Sequence, residues 1–154
     1  MATEADAQLL TNFQYDMALE TENKHLDKAE VKIAIDRLIK TPKLGCYFVA
    51  YDDNDADKKM IGSTMITFEM SPVFGGLIHW IQSVYVVPEA RKKGVFRSLY
   101  NTVVEAAKAN PEVKCVRLYV EKENVSAQSV YEKLGMAKMD TYDFDEVDYV
   151  LGHN

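Results

Sequence analysis

Positive charge is concentrated at one point of the chain, where a segment rich in β-branched and aromatic residues, VYVVPEA (84–90), gives way to a helical pattern. The cations there are Arg91, Lys92, Lys93 and Arg97. If the strand ends near Pro88 and the helix begins near Gly94, the first backbone N–H groups of the helix have no partner within it. Those donors and the helix dipole bind anions such as phosphate, and a glycine lets the anion approach closely. The alternative is a solvated basic patch or a nuclear-targeting signal.

A second pattern follows one apolar segment later and combines a polar residue, a small residue, a tyrosine and a glycine at fixed intervals. These residues are Asn124, Ala127, Tyr131 and Gly135. Asn124 is suited to cap a helix, and Gly135 is suited to the left-handed position after its last turn, with Met136 as the apolar contact beyond. The Tyr131 phenol could move a proton, or it could be a core tyrosine on the apolar face of the helix.

Together the two patterns resemble the motifs of the GCN5-related N-acetyltransferase (GNAT) superfamily. The first family motif is a strand, a proline–acid pair and then [Q/R]-x-x-G-x-[G/A] at the start of a helix. Arg91 and Gly94 match it, whereas Phe96 replaces the last small residue. The second motif, N-x-x-A-x-x-x-Y-x-x-x-G-[F/M], is matched from Asn124 to Met136. Both motifs stand in the family's order and spacing, with one strand between them.

The resemblance implies that the chain binds acetyl-CoA, whose thioester arm lies in this family between two central strands that separate after a bulge. Carried onto this sequence, the cofactor-binding residues are Val84, Tyr85, Val86, Arg91, Lys92, Lys93, Gly94, Val95, Phe96, Asn124 and Tyr131. Asn124 caps its helix, contacts the pantetheine arm, or does both. Phe96 cannot line a diphosphate as glycine does, so we expect its ring to pack into the core and the affinity for CoA to change somewhat. No metal ion is expected, because the sequence has no CxxC pair and its 3 histidines are scattered.

The resemblance also implies a direct reaction, in which an amine attacks the thioester carbonyl and no covalent enzyme intermediate forms. Tyr131 is the residue that the family places at the departing sulfur. The family's glutamate base occupies one of two strand positions, which are Trp80 and Tyr119 here. The nearest replacements are Glu69 and His79, and the alternative is proton removal through ordered water to a distant acid.

The acceptor in this family is chosen by the first helices, the loop after them and the tail. Those parts hold Glu20, Glu22 and the acidic run DFDEVD (143–148), which suit a cationic amine such as a polyamine or a lysine-like group. A solvated acidic surface and a groove for protein N-termini are the alternatives. Family members often pair, so a homodimer is a further expectation. The rival function is a non-catalytic CoA-binding sensor or scaffold, which the missing carboxylates favour and Tyr131 disfavours.

The elements that must position these residues are helices and strands in the order α-α-β-β-β-α-β-α-β(-β). The segment LDKAEVKIAIDRLI (26–39) predicts the second helix, with Asp27 as its cap, Glu30 three residues later, and Thr41 and Pro42 after its end. The predicted strands are CYFVAY (46–51), MIGSTMITFEM (60–70), LIHWIQSVYVV (77–87), VKCVRLYV (113–120), and one or two in the tail (136–154). We therefore expect one α/β (α+β) domain over residues 1–154, with a mixed, mostly antiparallel sheet flanked by helices.

The composition fits one globular domain and disfavours several other classes of protein. The chain has 154 residues and a net charge of −6, so a general nucleic-acid role is not expected. The uncharged stretch from Met70 to Pro88 is interrupted by prolines, glycines and polar residues, which favours a turn and a buried strand over a membrane span. Cys46 and Cys115 lie in separate apolar runs and are expected to be reduced thiols. The N-terminus has acids where a secretory signal needs cations, which predicts a cytoplasmic protein.

Overall fold

The structure is a computed structural model, and it describes residues 1–139. By its internal contacts the chain divides into two compact units, Met1–Tyr119 and Val120–Asn154, while a single domain over 1–154 stays a prediction. The elements in chain order are α1 (Ala7–Glu22), α2 (Lys28–Lys40), β1 (Gly45–Tyr51), β2 (Met60–Ser71), β3 (Gly76–Val86), α3 (Val95–Ala109), β4 (Val113–Leu118) and α4 (Val125–Lys133).

This order confirms the predicted α-α-β-β-β-α-β-α sequence of elements. One-turn 3-10 helices also occur at Glu4–Asp6 and Pro88–Ala90. The strands predicted in the tail fall mostly on residues 140–154, which lie outside the described residues. None of the helices within residues 1–139 is both long enough and apolar enough to cross a bilayer.

Helix α2 begins where the sequence predicted it, because Asp27 caps it. One carboxylate oxygen, Oδ1, accepts hydrogen bonds from the backbone N–H groups of Ala29 at 2.7 Å and Glu30 at 3.3 Å. These bonds satisfy two of the donors that a helix leaves without partners at its start. The helix ends at Lys40, just before Thr41 and Pro42, and buries Ile35.

The four strands form one sheet in the order β1-β2-β3-β4. The first two pairings are antiparallel, and β3 pairs with β4 in parallel after the crossover through α3. The β2–β3 register shifts in mid-strand, where Ile66 faces Ile81 but the preceding Met65 faces Ser83. Gln82 is thus the extra residue of a β-bulge, which bends a strand and increases its twist.

Helices pack on both faces of this sheet. On one face α1 approaches β3, and the rings of Phe13 and Tyr85 lie 5.0 Å apart within the main core. On the other face α3 lies so close to β2 that a Cβ added at Gly62 would stand 3.0 Å from Cγ1 of Val95. The buried side of α3 carries Leu99 and Val103 among others. This packing fixes the start of α3 against the end of β3.

Candidate functional site

The second half of β3 has a neighbouring strand on one side only. Its pairing with β4 ends at Ile81 opposite Leu118, whereas its pairing with β2 continues to Val86. The sheet therefore opens at the bulge, as the sequence resemblance implied for the two central strands. Within residues 1–139 this is the one place where a central strand presents an unpaired inner edge.

The open edge presents backbone groups of alternate residues. Val87 donates its backbone N–H to the carbonyl of Ile61 on β2 at 3.0 Å. Because successive peptide groups of a strand point to opposite edges, Tyr85 also bonds to β2, while Val84 and Val86 point their N–H and C=O groups into the open edge. Of the three residues predicted there, two thus offer their backbone and Tyr85 offers only its side chain.

The turn between β3 and α3 exposes further backbone donors. Within the described part of the chain, no hydrogen-bond acceptor is found for the backbone N–H groups of Lys92, Lys93, Gly94, Val95 and Arg97. Gly94 caps α3 with φ +85°, and a Cβ added to it would meet no heavy atom within 4 Å. Lys92 also has a left-handed backbone, with φ +62°, which is uncommon for a residue with a side chain and recurs at functional sites. The turn is therefore an open group of N–H donors that fits an anion such as a diphosphate.

The Arg91 side chain is held at this turn by two hydrogen-bond acceptors and one aromatic ring. Its Nε donates to the carbonyl of Val86 at 2.9 Å, and a terminal nitrogen donates to Glu20 at 2.6 Å. The guanidinium also lies 5.7 Å from the centroid of the Tyr85 ring. The structure thus brings together three residues that the sequence assigned to different roles, Glu20 to the acceptor and Arg91 and Tyr85 to the cofactor.

The Tyr85 hydroxyl completes this group by donating to the other oxygen of Glu20 at 3.2 Å. Burial, and then the negative charge of Glu20, raises the pKa of Tyr85 to about 12. A phenol with that pKa stays protonated throughout the neutral range and keeps donating its hydrogen bond.

Lys93 lines a cleft of about 410 Å³ beside the β1–β2 loop. The charged residues that line this cleft are Asp52, Asp55, Glu89, Lys59 and Lys93. Lys59 and Glu89 already form an exposed ion pair at 2.8 Å. Three carboxylates against two ammonium groups make the cleft unsuited to a diphosphate, so the N–H donors of the turn are the better place for one.

Phe96, the departure from the family motif, is half-buried in the first turn of α3. Its ring centroid lies 6.2 Å from that of Tyr100. We had expected from the sequence that this ring would pack into the core. It is only half-buried and instead lies against Tyr100 of its own helix.

The two positions at which the family carries a base hold stacked rings. Trp80 and Tyr119 lie 4.8 Å apart with their planes 20° from parallel, and the guanidinium of Arg117 is 5.1 Å from the Trp80 ring. Glu69 accepts a hydrogen bond from the Trp80 indole nitrogen at 2.5 Å. A carboxylate from the neighbouring strand therefore stands beside the position at which the family's glutamate is missing.

The second candidate base, His79, faces the other side of the sheet. It pairs with Phe68, the residue before Glu69, and their rings lie 4.7 Å apart. Burial lowers the pKa of His79, so the neutral imidazole is favoured. Since neighbouring residues of a strand point to opposite faces, Glu69 and His79 cannot act on the same side of the sheet.

The second unit contains the helix of the second motif. Asn124 caps α4 as predicted, accepting a hydrogen bond from the Ala127 N–H at 3.1 Å. Gly135 has φ +88°, and Met136 donates its N–H to the Tyr131 carbonyl at 3.0 Å, which confirms the predicted left-handed cap. Tyr131 is half-buried, and burial raises its pKa.

The remaining acceptor candidates are placed only in part. Glu22 is the last residue of α1 and is exposed. Glu20 lies in the same last turn of the helix. The acidic run at 143–148 lies outside the described residues. The contact of Glu20 with Arg91 had no signal in the sequence, because the two residues are 71 positions apart.

A family model and a solved structure both indicate the same family. Residues 10–136 match the sequence model described as "Acetyltransferase (GNAT) family". Among solved structures, a possible acetyltransferase from Clostridium difficile 630 is 34% identical, with 99% of this chain and 95% of that chain covered and a TM-score of 0.85. No significant match was found among curated proteins.

More distant solved structures share the fold. An integron cassette protein from the mobile metagenome of Cole Harbour Salt Marsh is 19% identical, with 99% of this chain and 90% of that chain covered and a TM-score of 0.80. A ribosomal-protein-alanine N-acetyltransferase from Brucella melitensis biovar Abortus 2308 is 16% identical, with 99% and 96% covered and a TM-score of 0.69.

Proposed function

The chain belongs to the acetyltransferase (GNAT) family, and from that premise we propose that it transfers the acetyl group of acetyl-CoA directly to a primary amine. The observation that carries the proposal is the open inner edge of β3, which runs straight into a turn of unpaired N–H groups. Acetyl-CoA supplies the activated acyl group, and the residues of this chain supply its binding, its orientation and the hydrogen bonds of the reaction.

The turn before α3 is the proposed diphosphate site. The donors are the backbone N–H groups from Lys92 to Val95, assisted by the positive end of the α3 dipole. Each charge-assisted hydrogen bond contributes roughly 1.5–3 kcal/mol, whereas an exposed lysine near the phosphates adds about 1 kcal/mol or less. The backbone donors therefore dominate the binding, and the lysines tune it.

The open edge of β3 is the proposed site of the thioester arm. Val84 and Val86 point backbone N–H groups into it, and one of them is suited to hold the thioester carbonyl oxygen. A donor aimed at that oxygen stabilises the negative charge that develops there during attack, as in other oxyanion holes. A preformed strand edge supplies this donor without reorganisation.

Tyr131 is the proposed donor to the departing sulfur. An unperturbed phenol has a pKa near 10 and a thiol near 8.5, so complete proton transfer is uphill by about 2 kcal/mol, and the burial that raises the pKa of Tyr131 increases this cost. We therefore assign to Tyr131 a hydrogen bond that stabilises the thiolate, with water completing the protonation.

Glu69 is the proposed acceptor of the amine proton, either directly or through ordered water. It is exposed, it stands beside Trp80 where the family's carboxylate is missing, and its hydrogen bond to the indole fixes one of its two oxygens. The second oxygen is available for a water or an amine. His79 faces the other side of the sheet and is the weaker candidate.

The proposed acceptor is a cationic primary amine, either a small amine or polyamine or a protein amino group, and we propose that the reaction takes place in the cytoplasm. The acidic balance of the chain, −6, attracts such amines. Glu22 is the better-placed of the two predicted acceptor residues, since both oxygens of Glu20 are bonded to Arg91 and Tyr85.

A non-catalytic CoA-binding sensor is the second candidate, and the rings of Trp80 and Tyr119 at the two usual base positions favour it. Release of free thiol from acetyl-CoA, measured against a panel of amines, separates the two. Turnover on any amine that is lost in Tyr131→Phe supports the enzyme. Tight CoA binding with no turnover on any amine supports the sensor.

A further inference from the structure

Glu20 and the proposed diphosphate turn are joined by one group of contacts. Glu20 lies in the last turn of α1, while Arg91 opens the turn before α3. Their side chains meet at 2.6 Å, and both are less than half exposed, at 40% and 43%. The Tyr85 hydroxyl bonds to the second oxygen of Glu20. One carboxylate of α1 therefore bonds both to β3 and to the turn that follows it.

The position of Glu20 is unfavourable unless a cation is near. The C-terminal end of a helix carries partial negative charge, which stabilises cations and destabilises acids. The last turn of α1 contains no basic residue, and Glu20 and Glu22 are both acidic. The positive charge of Arg91 offsets this repulsion for Glu20. The helix dipole therefore favours the ion pair in addition to the attraction between the two side chains.

Arg91 uses its planar fork to connect two fixed acceptors. Its Nε reaches the carbonyl of Val86 on the open edge, and its terminal nitrogen reaches Glu20. Its own backbone N–H bonds to the carbonyl of Pro88 at 3.2 Å. A lysine could not reproduce this geometry, because its single ammonium group has no fork. The first residue of the turn is thus held by both its side chain and its backbone.

We propose that Glu20 is a positioning residue for the acyl donor: acting through Arg91, it holds the turn from Arg91 to Gly94 in the conformation whose N–H groups bind the diphosphate. The inference rests on the proposed function, because it assumes that the turn binds CoA. It assigns Glu20 to the cofactor side of the site, without contact to the ligand, and not to the acceptor.

The consequence is a preorganised turn. Lys92 and Gly94 both have left-handed backbones, and such a turn loses binding free energy if its donors must be ordered only when the ligand arrives. Glu20 also brings a negative charge toward the phosphates, but that repulsion acts between solvent-exposed charges and is screened by salt. The loss of order therefore outweighs the relief of repulsion when Glu20 is removed.

The test is calorimetric titration of CoA into four proteins: the wild type, Glu20→Gln, Arg91→Gln and the double variant. We expect Glu20→Gln to raise the Kd about tenfold, as when one charge-assisted hydrogen bond is lost. In the Arg91→Gln background the same substitution should change nothing, because Glu20 acts only through Arg91. Arg91→Lys, which keeps the charge but not the fork, should resemble Arg91→Gln.

A second titrant and a control variant separate positioning from general destabilisation. The nucleotide 3′-phospho-ADP carries the diphosphate without the pantetheine arm, and Glu20→Gln should weaken its binding by the same factor. Asp36→Asn removes the carboxylate of a comparable ion pair, Lys32–Asp36 at 2.7 Å on α2, and should leave both Kd values unchanged.

Three results would overturn the inference: a Kd for CoA that is unchanged or lower in Glu20→Gln, effects of the two substitutions that simply add, or a loss for CoA that 3′-phospho-ADP does not share. A wild-type protein that gives no heat with CoA would instead remove the proposed function and the inference with it.

Discussion

Trp80 on β3 donates its indole N–H to the carboxylate of Glu69 on the neighbouring strand β2. Trp80 is directly opposite Thr67, and Glu69 lies two residues after Thr67 on the same face of the sheet. The tryptophan occupies one of the two positions at which the sequence resemblance implied a glutamate base. The pairing of β2 with β3 brings the Glu69 carboxylate to the same face of the sheet. Glu69 therefore lies beside the position at which the sequence resemblance implied a glutamate base.

The first prediction concerns this carboxylate. Glu69→Gln should lower kcat by about 10²-fold, the smaller end of what a general base contributes, with little change in the KM for acetyl-CoA. The glutamine carbonyl can still accept the Trp80 hydrogen bond, so the local structure is kept. Steady-state kinetics with an accepted amine provides the measurement. Trp80→Phe is the control, because it removes the donor and leaves the carboxylate. A larger loss in Trp80→Phe than in Glu69→Gln would show that the contact is structural.

The second prediction concerns the glycine at the start of α3. Gly94→Ala should weaken CoA binding, because the new methyl group stands in the open space beside the N–H donors. Position 94 has a left-handed backbone, φ +85°, so an alanine there should also lower the free energy of unfolding by about 1–2 kcal/mol. Gly75 is a matched control in the β2–β3 turn, with φ +68° and no atom within 4 Å of an added Cβ. Gly75→Ala should show a similar fall in the free energy of unfolding and an unchanged Kd; equal losses of affinity in the two variants would contradict the site.

The third prediction concerns the proposed donor to the sulfur. Tyr131→Phe should lower kcat by about 10²-fold while the KM for acetyl-CoA changes much less, because the hydrogen bond to sulfur strengthens only as the thiolate forms. Burial raises the pKa of Tyr131, so in the wild type the donor should persist through neutral pH and be lost only above about pH 10. Tyr47→Phe, a buried tyrosine of the core, is the control. An unchanged kcat in Tyr131→Phe would remove the residue from the mechanism.

The fourth prediction is a dependence of stability on pH. Burial lowers the pKa of His79 in the folded protein, so the unfolded chain, with a pKa near 6.5, binds the proton more tightly. The stability that the neutral imidazole contributes is fully present above about pH 6.5 and is lost as the pH falls through the lower pKa of the folded state. Urea unfolding should show this fall for the wild type and a smaller one for His79→Gln. Parallel curves for the two proteins would contradict it.

The features that the sequence could predict are those that depend on residues close together in the chain. Asp27 with the helix after it, Gly94 between a strand and a helix, and Asn124 with Gly135 around α4 each combine a special backbone position with a residue suited to it. Local patterns of this kind hold wherever the element lies in the fold, and the structure reproduces all of them.

The features that the sequence could not predict depend on register or on distant contacts. The approach of Glu69 to Trp80 requires the β2–β3 register, in which Glu69 faces Ile78 and Thr67 faces Trp80. The bond between Glu20 and Arg91 spans 71 positions and follows from how α1 packs on the sheet. The half-buried ring of Phe96 likewise reflects the direction in which α3 presents its first turn, which a motif does not specify.

The proposed function depends most directly on the unpaired peptide groups between β3 and α3, which are proposed to hold a diphosphate. A crystal structure of the protein with CoA tests it directly. We predict that the diphosphate oxygens lie about 2.7–3.2 Å from backbone nitrogens between Lys92 and Val95, with the pantetheine arm along the open edge at Val84 and Val86. A CoA diphosphate bound elsewhere, with this turn facing only solvent, would contradict the account.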